Sequence, residues 1–192
     1  FEEERRYLRA ANPLLRDVAT VILETGMRPE EVFGLRQEDV HLPERYVHVP
    51  GGKTKNAKRD LFLTEATFEV LKRRLAAAKG PYLFPKRKGQ SYEWNQAMSR
   101  IQKAHEEALA KSGIKPPFRL YDLRHTYGTR AAEAGTDPLT LMRLMGHADL
   151  KTTQRYVHLS KRHLFEAQKK LESYRVEQVL AEAGEPVPHR PQ

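Results

Sequence analysis

The sequence predicts a mainly α-helical domain with a small antiparallel β-sheet, an α+β fold class. Apolar residues recur at three- and four-residue spacings along most of the 192 residues, a period typical of helices that bury one face. Between residues 40 and 63 the period changes to two, and a polar turn with two glycines separates the alternating segments. That pattern predicts a β-hairpin. Together the two periods favour helices packed on a minor sheet.

Caps, prolines and glycines set the predicted boundaries of the elements. Asn12 and Pro13 begin a helix that Gly26 ends, and Asp137-Pro138 and Gly146 bound a later one in the same way. Helices are predicted over residues 2–11, 13–25, 29–35, 64–78, 91–111, 122–134, 137–145, 149–156 and 160–183. Strands are predicted over residues 46–49 and 59–63, a loop over 84–89, and a disordered tail over 184–192.

Composition narrows the class of protein. The formal net charge is +9, which favours a polyanionic partner such as nucleic acid, although a plain solubility charge gives the same number. There is no cysteine, so disulfides and thiolate chemistry are excluded. No apolar run reaches the length of a membrane span, and a charged start without Met indicates a fragment that lacks an upstream domain. We expect one domain over residues 1–183 in the cytoplasm.

Two arginines lie at predicted helix starts. Arg28 follows Gly26, and Glu31 lies three residues further on, where its carboxylate can fix the guanidinium. An ordinary surface ion pair explains the same spacing. Arg124 follows Tyr121 by three residues and precedes His125. Positive charge at a helix N-terminus opposes the helix dipole, which indicates that an anion is bound there, although a solvated basic helix start remains the alternative.

A histidine and a tyrosine follow on either side of a helix break. His147 and Tyr156 are nine residues apart, which would place them on opposite faces of a continuous helix. The break at Gly146 lets both side chains reach one cleft. A structural histidine and a core tyrosine are the alternatives, and the polar residues around Tyr156 argue against the second.

Two basic segments are candidates for phosphate contacts. The predicted hairpin tip carries lysines that suit proton donation or backbone-phosphate binding, and the second segment follows Phe84-Pro85. The candidate residues are Lys53, Lys55, Lys58, Lys86, Arg87 and Lys88.

Four segments in order resemble the catalytic domain of the tyrosine recombinase (phage integrase) family. TGMRPEEVFGLR is similar to the first arginine box, and GGKTKNAKRDLFL to the lysine-bearing β-hairpin. YDLRHTYGTR and MGHADLKTTQRYVH are similar to the second box, with its closing tyrosine. The resemblance implies the tyrosine recombinase catalytic-domain fold, also called the DNA breaking-rejoining enzyme fold. It also implies a site-specific recombinase acting on double-stranded DNA, with no metal or nucleotide cofactor.

The resemblance implies a role for each matching side chain. Tyr156 attacks one DNA strand to form a 3′-phosphotyrosyl link, while Arg28 and Arg124 hold the phosphate oxygens. Lys53 is the general acid for the leaving 5′ oxygen, with Lys55 as the alternative. The remaining matches are His147, which assists phosphate binding, and the supporting residues Glu31 and His125.

Tyr121 departs from the family pattern, which has histidine at this position. A phenol is a poor base at neutral pH, although it can donate a hydrogen bond to a phosphate oxygen. This departure leaves open a DNA-binding accessory protein that lost catalysis, and the shared chemistry leaves open a relative of type IB topoisomerases. Because family members exchange their C-terminal segments, we expect dimers or tetramers on DNA through residues 160–183. Packing of that helix on its own core is the alternative.

Overall fold

A computed structural model describes residues 1–51, 58–157 and 161–182. The described residues form two units, one ending at Tyr156 and one beginning at Val157. The helices of the first unit are α1 (Glu2–Ala10), α2 (Pro13–Thr25), α3 (Pro29–Phe33), α4 (Glu65–Ala77), α5 (Gln102–Ser112), α6 (Asp122–Glu133), α7 (Pro138–Met145) and α8 (Leu150–Gln154). The strands are β1 (Val40–His41), β2 (Tyr46–Val49), β3 (Arg59–Phe62), β4 (Pro85–Lys88) and β5 (Ser91–Ala97).

The first unit is built around α2, which contacts α4 on one side and α6 on another. Asn12 caps α2 as predicted, because its side-chain oxygen accepts the Leu15 N–H at 2.9 Å. Five apolar side chains of α2 are fully buried (Leu15, Val18, Ala19, Val21 and Ile22). An apolar stripe this wide explains why the other elements gather around α2.

The predicted α+β class is confirmed, with two small antiparallel sheets. Strands β1, β2 and β3 form one sheet in that order, and Val47 pairs with Leu61. Both side chains are buried, as the period of two predicts. The predicted strands over 46–49 and 59–63 are therefore confirmed to within one residue.

The second sheet corrects a prediction. Strands β4 and β5 form a hairpin where a loop over 84–89 and a helix beginning at Ser91 were predicted, and the helix begins only at Gln102. Gly89 adopts φ +60° in the tight connection, and Tyr92 and Trp94 are residue types that favour strands. Trp94 packs against Gly80, where an added Cβ would lie 2.7 Å from the Trp94 Cβ. This contact supports the strand conformation of a segment whose apolar spacing also suited a helix.

Other predicted helices are confirmed with small changes at their ends. Helix α6 begins at Asp122 as predicted, with Tyr121 at the N-cap position. The Asp122 carboxylate accepts the Arg119 N–H at 2.8 Å and a guanidinium N–H of Arg119 at 3.0 Å.

The second unit contains α9 (Lys161–Glu182). Several of its apolar side chains are more than half exposed, namely Phe165, Leu171, Tyr174, Val176 and Val179. No helix in the described part of the chain is long and apolar enough to cross a membrane. The predicted exchange of this helix stays a prediction, as does the single domain over 1–183, and the predicted tail lies outside the described residues.

Gly26 allows α2 and α6 to meet. It adopts φ +66°, and an added Cβ would lie 2.3 Å from the Tyr127 ring of α6. Gly113 ends α5 with nearly the same φ, +65°, but has no atom within 4 Å of an added Cβ. The two glycines thus separate the cost of the backbone conformation from the cost of the contact.

We expect Gly26→Ala to lower the free energy of unfolding more than Gly113→Ala. Both variants should lose about 1 kcal/mol because alanine disfavours this φ, and Gly26→Ala should lose about 1–3 kcal/mol more from overpacking. Urea unfolding of both variants measures the difference. Equal losses would contradict the proposed contact with Tyr127.

Candidate active site

The candidate active site is assembled around the C-terminal end of α7. A helix end leaves backbone carbonyls without partners inside the helix. Here three consecutive carbonyls each accept a hydrogen bond from a different arginine. The Leu144 oxygen accepts from Arg59 Nε at 2.7 Å, the Met145 oxygen from Arg124 Nη2 at 2.5 Å, and the Gly146 oxygen from Arg28 Nη2 at 3.2 Å. Three guanidinium groups from distant parts of the sequence therefore lie side by side.

Arg124 is fully buried. Its Nη1 donates to the Gly26 carbonyl at 2.5 Å, and its Nε has no hydrogen-bond partner among the described residues. Burial, followed by the charge of Arg28, lowers the pKa of Arg124 to about 10, so the group is still charged at neutral pH. A buried cation compensated by carbonyl dipoles is suited to bind an anion.

Arg28 is partly exposed and is held by Glu31. The Glu31 carboxylate accepts the backbone N–H and the Nη1 of Arg28, both at 2.8 Å. The predicted Arg28–Glu31 contact is therefore confirmed, but it is more than a surface pair. Glu31 also binds Arg59, at 2.9 Å between Oε2 and Nη2. Burial favours a higher pKa for Glu31, but the hydrogen bonds and charges of the two arginines outweigh it and lower the pKa.

Tyr156 follows α8, which starts at a turn capped by Asp149. The Asp149 carboxylate accepts the Thr152 N–H at 2.9 Å. The Tyr156 hydroxyl lies 2.6 Å from His125 Nδ1. Its ring packs over Gly128, where an added Cβ would lie 2.9 Å away. Burial raises the pKa of Tyr156, and the charge of Arg124 opposes that rise.

His147 lies beside Tyr156, as the break at Gly146 predicts. Gly146 adopts φ +64°, and the rings of His147 and Tyr156 are stacked with centroids 6.3 Å apart. His147 Nδ1 is 2.8 Å from the Thr153 hydroxyl. Burial and then the charges of Arg124 and Arg28 lower the pKa of His147 to about 4. His147 is therefore neutral at pH 7 and acts there as a hydrogen-bonding group.

His125 lies between two tyrosines. The Tyr121 ring contacts the His125 ring edge-on, with centroids 5.3 Å apart. The His125 ring also bonds the Tyr156 hydroxyl. Burial lowers the pKa of His125, the carboxylate of Asp122 raises it, and nearby arginines (Arg155, Arg119 and Arg124) lower it. His125 is therefore neutral at pH 7 and can accept a proton.

The structure brings most of the predicted site residues together. Contacts link the members of this cluster, which are Arg28, Glu31, Tyr121, Arg124, His125, His147 and Tyr156. Lys53 and Lys55 lie outside the described residues. Lys58 directly precedes β3, and Lys86, Arg87 and Lys88 lie on β4 rather than on a loop. The last three form a separate basic surface on the hairpin.

Arg59 and Thr153 belong to the cluster but were not predicted. A signal for Arg59 was present in the sequence. The period of two in β3 places Arg59 on the same face as the buried residues Leu61 and Leu63, where a cation requires an anionic partner. Thr153 gave no comparable signal, because its contact with His147 depends on the turn at Gly146.

The cluster combines a fully buried arginine, a group suited to bind an anion, with a tyrosine hydroxyl that is bonded to a histidine. The phage integrase family model matches residues 3–163, and the chain belongs to this family. It is 31% identical over 163 residues to the tyrosine recombinase XerD of Listeria monocytogenes, which covers 78% of this chain and 52% of that protein. The chain spans about half the length of the curated relatives it matches.

Two solved structures share the fold of this chain. The XerH site-specific recombinase bound to a palindromic difH substrate, in a post-cleavage complex, has a TM-score of 0.65 at 25% identity, over 89% of this chain and 52% of that chain. The catalytic domain of bacteriophage HP1 integrase has a TM-score of 0.60 at 22% identity, over 87% and 90% of the two chains. The predicted tyrosine recombinase catalytic-domain fold is confirmed.

We expect His147 to make stability depend on pH between about 4 and 6.5. Its pKa is about 4 in the folded protein and about 6.5 in an unfolded chain. The unfolded chain therefore binds more protons in this window, and stability rises with pH across it. The contribution of about 2–3 kcal/mol is present above pH 6.5 and lost as the pH falls towards 4.

The measurement is urea unfolding of the wild type and of His147→Asn from pH 4 to 7. The variant loses the titrating group, so its unfolding free energy should rise less steeply with pH. Parallel curves for the two proteins would contradict the lowered pKa.

Proposed function

We propose that this chain is the catalytic part of a site-specific DNA recombinase of the integrase type. It would cut and rejoin double-stranded DNA through a 3′-phosphotyrosyl intermediate. The observation that carries the proposal is the Tyr156 hydroxyl, bonded to a neutral histidine beside two arginine side chains that converge on the end of α7. The names of the relatives, tyrosine recombinases and a site-specific recombinase bound to its substrate, support it.

In the proposed first step the Tyr156 oxygen attacks a backbone phosphorus atom. The new bond is Tyr156 O–P, and the bond to the 5′ oxygen breaks. Arg28 and Arg124 hold the non-bridging oxygens, where negative charge increases in the transition state. The leaving oxygen needs a proton, and the proposed donor is Lys53, with Lys55 as the alternative.

The proposed base for Tyr156 is His125. The pKa of Tyr156 is raised by burial, so its proton does not leave unaided at neutral pH. His125 Nδ1 is 2.6 Å from the phenol oxygen, and the pKa of His125 is lowered, mainly by burial. A neutral imidazole at this distance meets both requirements for general-base catalysis.

The remaining site residues have positioning roles in this proposal. His147 stacks on the Tyr156 ring and can hydrogen-bond the phosphate, while Glu31 orients Arg28. Tyr121 can donate a hydrogen bond to a phosphate oxygen. Resealing is the reverse reaction, because a second strand's 5′-hydroxyl attacks the phosphotyrosyl link and Tyr156 regains its proton. The link conserves the energy of the broken bond, so no nucleotide is needed.

The DNA backbone would also contact the basic surface of the hairpin. Lys86 and Lys88 share the Glu93 carboxylate, at 3.2 and 3.7 Å, and Arg87 is exposed. Together with Lys58, they are proposed phosphate contacts. Self-association on DNA through α9 is part of the same proposal, supported by its exposed apolar side chains. This DNA substrate would place the protein in the cytoplasm.

Trapping a covalent complex tests the proposed function. The probe is a pool of nicked suicide duplexes with randomised arms, from which the cut piece diffuses away and prevents resealing. We expect an adduct that survives denaturation and maps to Tyr156 by mass spectrometry. Tyr156→Phe should lose the adduct completely while it keeps DNA affinity within about threefold, because only the nucleophilic oxygen is removed.

The duplex sequences recovered from the trapped adducts supply the substrate for the rate measurements described below. An adduct retained in Tyr156→Phe would remove Tyr156 from its role. An adduct formed equally on every duplex, with relaxation of any supercoiled plasmid, would favour the topoisomerase-like alternative.

We expect His125→Asn to slow single-turnover cleavage about 10²–10⁴-fold, the usual value of a general base. The wild-type rate should fall as the pH drops through the pKa of His125, which burial lowers from its usual value of about 6.5, since protonated His125 cannot accept the Tyr156 proton. The variant should lose that acidic limb. The measurement is the adduct-formation rate on the recovered duplex from pH 4.5 to 9.

His48→Asn is the matched control, because His48 bonds Asp60 at 2.5 Å on the sheet and lies outside the cluster. It should keep both the rate and the acidic limb. An unchanged limb in His125→Asn would show that another group accepts the proton.

A further inference from the structure

Arg59 is a buried cation next to the proposed site. It is the first residue of β3, and its side chain is 7% exposed. Its Nε donates to the Leu144 carbonyl at 2.7 Å. Its Nη1 and Nη2 donate to the two oxygens of Glu31 at 3.2 and 2.9 Å. Each of its three nitrogens therefore donates a hydrogen bond inside the protein, to groups that themselves belong to the proposed site.

The fork between Arg59 and Glu31 fixes the carboxylate that orients Arg28. A two-point contact between a guanidinium and a carboxylate holds both planes in one orientation. Glu31 then presents Oε1 to the Arg28 side chain and Oε2 to its backbone N–H. Without Arg59, Glu31 is free to rotate towards Arg28, and the direction of the Arg28 guanidinium is no longer fixed.

Arg59 also preserves the positive charge of the site. Glu31 and Arg28 alone form a neutral pair, whereas the cluster of Glu31, Arg28 and Arg59 has one net positive charge. An oxyanion in the transition state is stabilised by net positive charge that is already in place. A single negative carboxylate can therefore hold Arg28 without cancelling the charge that a phosphate needs.

The third contact reaches the turn that carries His147. The Leu144 carbonyl directly precedes the carbonyls bound by Arg124 and Arg28. By holding the first of the three, Arg59 fixes the end of α7, where Gly146 begins the turn. The Arg59 side chain thus supports Arg28 through Glu31 and supports the end of α7, which Arg124 and Arg28 also bind.

We propose that Arg59 is a positioning residue for the two arginines that hold the phosphate, acting through Glu31 and the Leu144 carbonyl. The proposal rests on the proposed function, since it describes the same site. Arg59 contributes orientation and charge, while bond formation remains with Tyr156. Removing Arg59 should therefore slow the chemical step more than it weakens DNA binding.

The structure offers a matched control at Asp17. This buried carboxylate is also held by two arginines, Arg73 at 2.5 Å and Arg74 at 2.7 Å. Arg74 is 19% exposed on its side chain and links α4 to α2, outside the cluster. Arg74→Gln breaks a comparable arginine–carboxylate pair. It therefore shows how much the loss of such a pair destabilises the fold when the proposed site is intact.

The test compares Arg59→Gln, Arg59→Lys and Arg74→Gln on the recovered suicide duplex, below the unfolding midpoint of every variant. We expect Arg59→Gln to reduce the single-turnover rate about 10- to 100-fold, as for a displaced catalytic group, with DNA affinity within about threefold. Arg59→Lys keeps the charge but not the fork, so its rate should lie between Arg59→Gln and the wild type. Arg74→Gln should cleave at the wild-type rate.

A double-mutant cycle separates positioning from general support of the fold. If Arg59 positions Arg28, then Arg59→Gln should slow cleavage clearly less in an Arg28→Ala background than in the wild type, because only its effect through the Leu144 carbonyl remains there. The proposal would be overturned if Arg59→Gln slowed cleavage by the same factor in the Arg28→Ala background as in the wild type. It would also be overturned by equal rates for Arg59→Gln and Arg74→Gln, or by a loss confined to DNA affinity. If Arg59→Gln does not fold, the rate of Arg59→Lys decides in the same way.

Absence of any wild-type adduct at Tyr156 would instead count against the proposed function. A wild-type adduct with full activity in Arg59→Gln and Arg59→Lys would leave that function intact and remove only Arg59 from its role.

Discussion

Helix α7 ends with carbonyl groups that need partners, and satisfying them organises the rest of the site. Two of its last carbonyls, those of Met142 and Arg143, accept backbone N–H groups of the turn at 3.0 Å. The next three accept arginines that come from β3, α6 and the start of α3. Cations are favourable at the negative end of a helix. The hydrogen bonds that satisfy the end of α7 therefore also place the three positive charges close to His147 and Tyr156.

This arrangement explains how a charge as costly as that of Arg124 stays buried. Removing a guanidinium from water costs several kcal/mol, and no described carboxylate is close enough to form an ion pair with Arg124. The carbonyls of Gly26 and Met145 supply only dipoles. Burial therefore still lowers the pKa of Arg124. A phosphate oxygen would supply the missing negative charge. Binding of a phosphate would therefore also compensate the buried charge of Arg124.

How far the sequence predicts this molecule depends on the range of the interactions. Helices with caps, such as α2 after Asn12, were predicted because the signals are local. The β4–β5 hairpin was not, because the contact of Trp94 with Gly80 joins distant residues. Within the site, each predicted residue had a neighbouring partner or a helix break to mark it. Arg59 lacked a nearby partner, since Glu31 and Leu144 are 28 and 85 residues away, although the strand period placed it on the buried face.

Among the described residues, two tyrosine–histidine pairs have the same 2.6 Å separation, but their surroundings affect the two phenols differently. Tyr7 and His105 are buried together in the core, and the His105 Nε2 contacts the Phe118 carbonyl. Burial alone raises the pKa of Tyr7, which favours a permanently protonated phenol. At Tyr156 the charge of Arg124 opposes burial. Distance to a histidine therefore does not distinguish the two phenols, whereas the positive charge near Tyr156 would stabilise its phenolate form.

The same comparison bears on Tyr121, where the family has histidine. Tyr121 contacts the edge of His125 rather than the Tyr156 hydroxyl, and His125 alone of the two bonds that hydroxyl. A base is needed only at the atom that loses a proton, so a phenol at position 121 leaves that requirement met. In the proposed mechanism, tyrosine in place of histidine changes the donor offered to the phosphate and leaves His125, the proposed proton acceptor, in place. For this reason the departure does not indicate lost catalysis.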